Sequence, residues 1–444
     1  MYRKMNIQKN RLTEHILKAI EENDIQHYLL NARLEKTEEL FFVKKECTLR
    51  RNKLTEKCDV TIYHDFEANG KQYRGSSSFI ADINMDGDEL NKKIRTAYHS
   101  AASVKNPYYQ LPASSERFAV PEPETLPADM IPRYHAQDIA NIIFEEDRDT
   151  AAFINSLEIF ITQCSVHIIN SNGINVSYED ITYSGEYVVQ SKTPQDVELY
   201  YDFQYSSSDQ EIEKSLRASI CSSLDAIKVR AHAIPLSELK KQRGTEQLPY
   251  KNLILEGKSV YELIAYYLRR LDASMIYPKY SNYRLGDSIV RNAGHDIPSD
   301  KLTITVTPKV PYSSEGIRLS GRCLIQDNII RLITGNARFS SYLGIPATGE
   351  YDSYRLQCGT TPLAAMQCQP YLKIVNFSDF QMDELTGQFG GEYRLAYYFD
   401  GKETIGVTNG SISGNINDYI SHITLSSENQ SFYYFDGPLA VAFS

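Results

Sequence analysis

Short β-forming runs separated by compact turn sequences constrain the fold of this chain more than any other feature. Residues 59–66 and 72–82 flank Ala68-Asn69-Gly70, and an Asn-Gly pair between two such runs is a strong hairpin signal. Further pairs of runs surround residues 170–173, 326–328 and 400–401. Residues 39–49 are also predicted to form one strand. Because hairpins join antiparallel neighbours, the sheets are predicted to be mainly antiparallel.

Four segments show the apolar spacing of an amphipathic helix or open directly from a strand. Three of them cover residues 10–22, 88–103 and 209–231, and the fourth, residues 258–271, follows a short apolar strand at 252–255. The segment 209–231 carries an apolar stripe at helical spacing, formed by Ile212, Leu216, Ile220, Leu224 and Ile227. Ser208 and Glu211 predict a capping box at its start. Helices mixed with hairpins predict an α+β fold.

The change in pattern near residue 240 predicts two domains in this chain of 444 residues. Residues 1–240 are predicted to form an α+β domain in which helices cover an antiparallel sheet. Residues 241–444 are predicted to form a mainly antiparallel β domain. Six prolines lie between residues 107 and 132, which excludes a regular helix or central strand there. We interpret that segment as an excursion within the first domain.

Charge and composition exclude several classes of protein. With 47 Lys and Arg against 57 Asp and Glu, the net charge is −10, which argues against binding nucleic acid through its phosphates. No uncharged apolar run approaches the roughly 18 residues that a membrane helix needs. The first residues are polar and carry no apolar signal region, so a cytoplasmic protein is expected. The seven cysteines are scattered and lack a Cys-x-x-Cys pair, which favours reduced thiols.

The sequence lacks the familiar motifs of hydrolytic and metal sites. None of its nine histidines belongs to a His-Glu-x-x-His motif. His295 lies in the glycine-bearing polar sequence of residues 292–296, and it is a candidate ligand or proton-transfer group. The turn sequence at residues 313–316 contains serines, but no histidine pairs with them by motif.

A resemblance emerges when several of these segments are taken in order along residues 155–444. The segments are residues 169–173, the helix at 209–231, residues 313–318 ahead of 324–330, residues 385–389 and residues 411–415. Together they resemble successive blocks of the TldD/PmbA family. The first 150 residues are compatible in layout with that family but carry no distinctive motif.

The resemblance implies a function in peptide processing. The family is similar to a two-subunit cytoplasmic peptidase that trims or degrades unfolded peptides. One subunit, TldD, carries a His-Glu-x-x-x-His zinc site completed by a late cysteine, whereas TldE, also called PmbA, lacks that site. The older family label, modulator of DNA gyrase, implies effects on gyrase-directed toxins rather than chemistry on DNA.

The family's metal positions can be placed by the strand-to-helix context at residues 252–258. The first ligand, the general base and the second ligand then fall at Gly257, Lys258 and Glu262, and the late cysteine falls at Asp436. Glycine supplies no ligand, and a protonated lysine cannot activate zinc-bound water as a carboxylate does. The resemblance therefore implies a lost zinc site, no cofactor, and closest similarity to the TldE/PmbA branch.

The favoured function is a subunit that is not catalytic alone and that shapes a cleft for unfolded peptides. Its expected partner is a TldD-like zinc peptidase, and a homodimer is also possible. One alternative is a self-sufficient hydrolase built from Glu256, Glu262, His295 and Asp436. Another is a scaffold that binds a folded partner. Glu315 is a further candidate for a cleft position, together with Glu256 and His295.

Overall fold

The computed structural model describes residues 11–113, 131–290 and 299–444. Residue 10, most of the proline-rich segment and His295 lie outside this part of the chain.

Among the described residues, the first half of the chain forms four helices and six strands. In chain order they are α1 (Arg11–Glu22), β1 (His27–Val43), β2 (Glu46–Ala68), β3 (Lys71–Asp82), α2 (Gly87–Ala102), α3 (Ala136–Glu146), β4 (Ala152–Asn170), β5 (Asn175–Ser191), β6 (Glu198–Ser206) and α4 (Ile212–Arg230). The strands make one sheet in the order β3-β2-β1-β4-β5-β6, here named the N-terminal sheet. Every neighbouring pair in it is antiparallel, as predicted.

Turn geometry explains the order of these strands. Asn69 and Gly70 both adopt positive φ angles, 54° and 69°, so the predicted hairpin between β2 and β3 is confirmed. The prediction of a single strand at residues 39–49 is wrong. Lys44 has a φ of 56° and reverses the chain, so that Val43 on β1 pairs with Glu46 on β2. The two turn residues, Lys44 and Lys45, are not among the Gly, Asn, Asp or Pro residues that mark a hairpin turn, so the break carried no turn signal.

Helices cover this sheet at two places, each with its own apolar cluster. α3 and α4 pack on β4 and its neighbours, and all five residues of the predicted α4 stripe are buried. α1 and α2 pack on β1, β2 and β3. The predicted capping box is wrong, because Glu211 makes no side-chain cap and instead pairs with Lys214. Ser208 donates to the hydroxyl of Ser206, the last residue of β6.

The second half of the chain is richer in short strands. In chain order its elements are β7 (Ile234–Pro235), α5 (Leu236–Arg243), β8 (Asn252–Glu256), α6 (Lys258–Arg270), α7 (Ala273–Ile276), β9 (Ile304–Val306), β10 (Arg322–Gln326), β11 (Ile329–Ile330), α8 (Ala337–Leu343), β12 (Tyr354–Leu356), α9 (Leu363–Met366), β13 (Tyr371–Met382), β14 (Gln388–Phe399), β15 (Thr404–Thr408), β16 (Gly410–Asn415), α10 (Ile416–Tyr419), β17 (Ile423–Leu425), β18 (Asn429–Phe432), β19 (Phe435–Pro438) and β20 (Ala440–Phe443). No helix in the described part of the chain combines the length and apolar character needed to cross a membrane.

These strands form two sheets around a shared apolar core. The large C-terminal sheet has the order β17-β20-β8-β13-β14-β15-β7, with β16 also paired to β14. The small C-terminal sheet has the order β11-β10-β9-β12-β19-β18. Pairing is antiparallel except at β8–β13, β12–β19 and β7–β15, so the α+β prediction is confirmed. The predicted division near residue 240 stays a prediction; β7, just before it, pairs with β15.

The junction between β8 and α6 depends on a glycine. Gly257 has φ 79° and ψ −139°, a conformation that side-chain-bearing residues rarely adopt. It ends the strand and lets Lys258 begin the helix at once. The inner face of α6 is buried against the core through Val260, Leu263 and Ile264. Lys258 and Glu262 are consequently left on the outer face, one helical turn apart.

Replacing this glycine should strain the junction without creating a clash, because no atom lies within 4 Å of an added Cβ. We expect Gly257→Ala to lower the free energy of unfolding by about 1–3 kcal/mol, measured by urea denaturation. The matched control is Gly87→Ala, which also meets open space but has no positive φ. That control should be neutral or slightly stabilising, since alanine favours helix. Equal effects of the two substitutions would contradict this account of the junction.

Candidate functional site

The first residue of α6 makes an ion pair with the N-terminal sheet. Lys258 Nζ lies 2.7 Å from Asp202 Oδ2 on β6, and Asp202 pairs in register with Glu186 on β5. Burial lowers the pKa of Lys258, but the hydrogen bond to Asp202 and the charges of Asp202, Glu262 and Glu186 outweigh this and raise it. The ammonium therefore stays protonated at neutral pH. It cannot accept a proton from water.

Glu262 lies one turn further along α6 and is half-buried. No hydrogen bond or ion pair reaches its carboxyl group from the described residues. Burial raises the pKa of Glu262 to about 7; Lys258 lowers it, and Asp202 and Asp379 raise it further. A carboxyl group with this pKa changes its charge near neutral pH.

Asp436 is engaged by two donors on neighbouring strands. Its Oδ2 lies 2.6 Å from Arg355 Nε on β12, and its Oδ1 accepts a hydrogen bond of 3.0 Å from Asn429 Nδ2 on β18. The β18–β19 hairpin that carries Asp436 is also fastened to the start of α6. Gly257 N–H donates to Leu439 O at 3.0 Å, and Gln430 Nε2 donates to Gly257 O at 2.9 Å. The structure thus brings the hairpin with Asp436 to the helix with Lys258 and Glu262.

Glu256 and Glu315, the other described candidates, have separate structural partners. Glu256, at the end of β8, forms an ion pair of 3.0 Å with Lys373, and both side chains are mostly buried. Glu315 Oε2 accepts a hydrogen bond of 2.8 Å from Ala337 N at the start of α8. Burial raises the pKa of Glu315 to about 7, while that hydrogen bond lowers it and Glu350 raises it.

Glu315 lies against the N-terminal sheet rather than beside Glu262. The preceding residue, Ser314, accepts a hydrogen bond of 3.4 Å from Asn31 on β1. The negative charge of Glu315 also raises the pKa values of Tyr63 and Tyr109, although burial is the larger cause for both. Glu256, Glu262, Glu315 and Asp436 therefore do not form one constellation.

The donor set at the predicted zinc positions does not fit a zinc ion. Gly257 has no side-chain ligand, Lys258 is a cation, and Asp436 is held by Arg355 and Asn429. Glu262 alone could offer a carboxylate oxygen, whereas zinc sites need three or four protein ligands. Within residues 11–113, 131–290 and 299–444, no group of three or more His, Cys, Asp or Glu side chains is placed to hold a metal. The absence of zinc itself stays a prediction.

A cleft of about 200 Å³ opens beside Glu262. One wall is the outer face of α6, a second is the loop at Tyr351 and Asp352, and a third is the end of β13. The lining residues are Tyr261, Glu262, Ala265, Leu268, Arg269, Tyr351, Asp352, Phe380, Met382 and Glu384. Only Glu262 among them was a candidate from the sequence. Four of the others lie on the same helix, and the remaining five come from two distant segments, residues 351–352 and 380–384, that only the fold brings next to α6.

Glu262 should make the stability of the protein depend on pH. Because its pKa in the folded state lies above the ordinary value of 4.5, ionising it costs stability as the pH rises from about 4.5 through 7. We expect Glu262→Gln to raise the free energy of unfolding by about 1–2 kcal/mol at pH 8, after allowance for solvent screening. The gain should vanish below about pH 5. Chemical denaturation across this pH range measures it.

The matched control for that measurement is Glu246→Gln, since Glu246 is exposed and lies outside the cleft. The control should change stability little at any pH. A Glu262→Gln protein that is no more stable than the parent at pH 8 would contradict the burial of this carboxyl group.

Known structures share this fold over nearly the whole chain. TldE from Thermococcus kodakarensis superposes with a TM-score of 0.72 and 12% identity, covering 97% of this chain and 98% of that one. A protein from Bacteroides thetaiotaomicron, described as a candidate modulator of DNA gyrase, gives a TM-score of 0.69 and 14% identity over 98% of both chains. A similarly described protein from Thermotoga maritima gives 0.68 and 11% identity, again over 98% of both chains. At these identities the likeness establishes the fold.

A family match comes from the sequence of the C-terminal part of the chain. No curated protein matches the chain. Residues 250–442, however, match the family model of the PmbA/TldA metallopeptidase C-terminal domain, a range that contains Gly257, Lys258, Glu262 and Asp436. This match and the shared fold agree with the motif blocks found in the sequence. The family is thereby shown for residues 250–442, and over the remaining residues the likeness is one of fold.

Proposed function

We propose that this chain is a non-catalytic, TldE-like subunit of a cytoplasmic complex that processes peptides. In that complex it forms one wall of a cleft for unfolded peptides, and a TldD-like subunit supplies the zinc. The observation that carries the proposal is the ion pair between Lys258 and Asp202. Lys258 is a protonated lysine already bonded to Asp202, and it lies at the position where a catalytic member of the family has its carboxylate base.

The lost chemistry is replaced by contacts internal to this chain. Metal-assisted hydrolysis needs a metal-bound water and a base that takes its proton. Lys258 instead bonds to Asp202, and Asp436 bonds to Arg355 and Asn429. These contacts hold the start of α6, β6 and the β18–β19 hairpin in place. The predicted site positions therefore carry groups that bond within this chain.

A role in shaping a cleft is supported by what surrounds α6. The helix presents a 200 Å³ cleft lined by tyrosine, phenylalanine, methionine and carboxylate side chains. Aromatic side chains with polar tips are enriched where proteins bind other chains. The chain contains 32 tyrosines and no tryptophan, so tyrosine is its main means of making such contacts.

A self-sufficient hydrolase is the second candidate, and one observation favours it. The pKa of Glu262, raised to about 7 by burial, suits a general acid or base at neutral pH. Two other residues proposed for such a site already have partners of opposite charge. Glu256 is paired with Lys373, and Asp436 is paired with Arg355. A single carboxyl group without a nucleophile or a metal is a weak basis for peptide hydrolysis.

Reconstitution with a zinc-bearing family member tests the proposal. We expect the purified chain to cleave no unfolded peptide alone and to raise cleavage by the TldD-like partner at least about tenfold. The two should co-elute in size-exclusion chromatography at micromolar concentration, because a stable interface buries more than about 1,000 Å². Size-exclusion chromatography of the chain alone would reveal a homodimer.

Two controls make the reconstitution decisive. A partner whose zinc site has been inactivated should give no cleavage at any amount of this chain, which assigns the chemistry to the partner. The partner alone gives the baseline. A partner that is fully active alone and forms no complex would refute the subunit role, and cleavage by this chain alone would favour the hydrolase.

A further inference from the structure

The cleft beside α6 has apolar walls and an excess of negative charge. Ala265, Leu268, Phe380 and Met382 provide the apolar part, with Leu268 almost fully buried. At about 200 Å³ it is smaller than the roughly 300–1,000 Å³ of pockets for drug-sized ligands. It is therefore a site for a single side chain.

Charge within the cleft is unbalanced. Three carboxylate side chains, Glu262, Asp352 and Glu384, line it together with one cation, Arg269. Arg269 is already paired with Glu384, at 3.3 Å between Nε and Oε1. That pair leaves Glu262 without a partner of opposite charge in the cleft.

The groups that face Glu262 from outside the cleft offset one another in part. Lys258, on the same helix, lowers the pKa of Glu262 by its charge, but its ammonium is bonded to Asp202 at 2.7 Å. Asp202 on β6 and Asp379 on β13 both add negative charge around Glu262. The carboxyl group of Glu262 is thus half-buried, unpaired among the described residues, and surrounded by further carboxylates.

We propose that this cleft holds a lysine or arginine side chain of an extended peptide, with the cation beside Glu262. The methylene stem lies against Leu268 and Met382, in the way that long cationic side chains cover apolar surface. Tyr261 and Tyr351 add aromatic surface to the lining. This inference rests on the proposed function, since it names the class of peptide residue that the cleft wall selects.

Binding of blocked peptides to the chain alone tests the inference. The probes are two unfolded 11-residue peptides with blocked termini, one with a central lysine and one with norleucine there, which has a similar stem and no charge. By fluorescence anisotropy we expect the lysine peptide to bind about tenfold more tightly at pH 8.

Variants assign the preference to the cleft. Glu262→Gln should abolish it, and the exposed control Glu246→Gln should retain it, with circular dichroism used to verify folding of both. Ala265→Phe, which fills the cleft, should weaken binding of both peptides. Retention of the lysine preference in Glu262→Gln, or unchanged binding in Ala265→Phe, would overturn the assignment.

Failure of this inference can be told apart from failure of the proposed function. If lysine and norleucine peptides bind equally at pH 8, selection for a cation is refuted while the peptide-binding wall stands. If neither peptide binds, both the inference and the peptide-binding wall are refuted. The subunit role depends only on reconstitution with the zinc-bearing partner, whatever the peptide preference.

Discussion

The geometry of the candidate site depends on the backbone hydrogen bonds of Gly257, the residue between β8 and α6. The amide of this residue donates to Leu439 and its carbonyl accepts from Gln430, so the β18–β19 hairpin is tied to the first turn of the helix. A positive φ at Gly257 lets the helix start without a connecting loop. Lys258 therefore lies next to the N-terminal sheet, where it forms an ion pair with Asp202. One backbone conformation thus links both C-terminal sheets to the N-terminal one.

Contacts between residues close in sequence were largely predictable, and contacts between distant segments were not. Local signals sufficed for the Asn69-Gly70 hairpin and for the buried stripe of α4, because turn geometry and helical spacing are properties of neighbouring residues. They failed at Lys44, where a turn of two lysines carries none of the usual turn residues. Parallel pairing of β8 with β13 joins Asn252 to Tyr371, and nothing local in either segment encodes that contact.

The same limit applies to the site. The strand-to-helix pattern was enough to place Gly257, Lys258 and Glu262 together, since they are close in sequence and the helix follows at once. It could not identify Asp202 as the partner of Lys258 or Arg355 as the partner of Asp436. Those pairs join separate strands and elements, and local sequence patterns do not encode them.

Metal content after exposure to zinc tests the central claim most directly. The chain is purified without chelator, incubated with excess zinc, freed of unbound metal, and analysed by elemental mass spectrometry. The account predicts less than about 0.1 zinc per chain, because zinc needs three or four ligands and Glu262, next to the protonated Lys258, offers only one. About one zinc per chain, lost on Glu262→Ala, would contradict it.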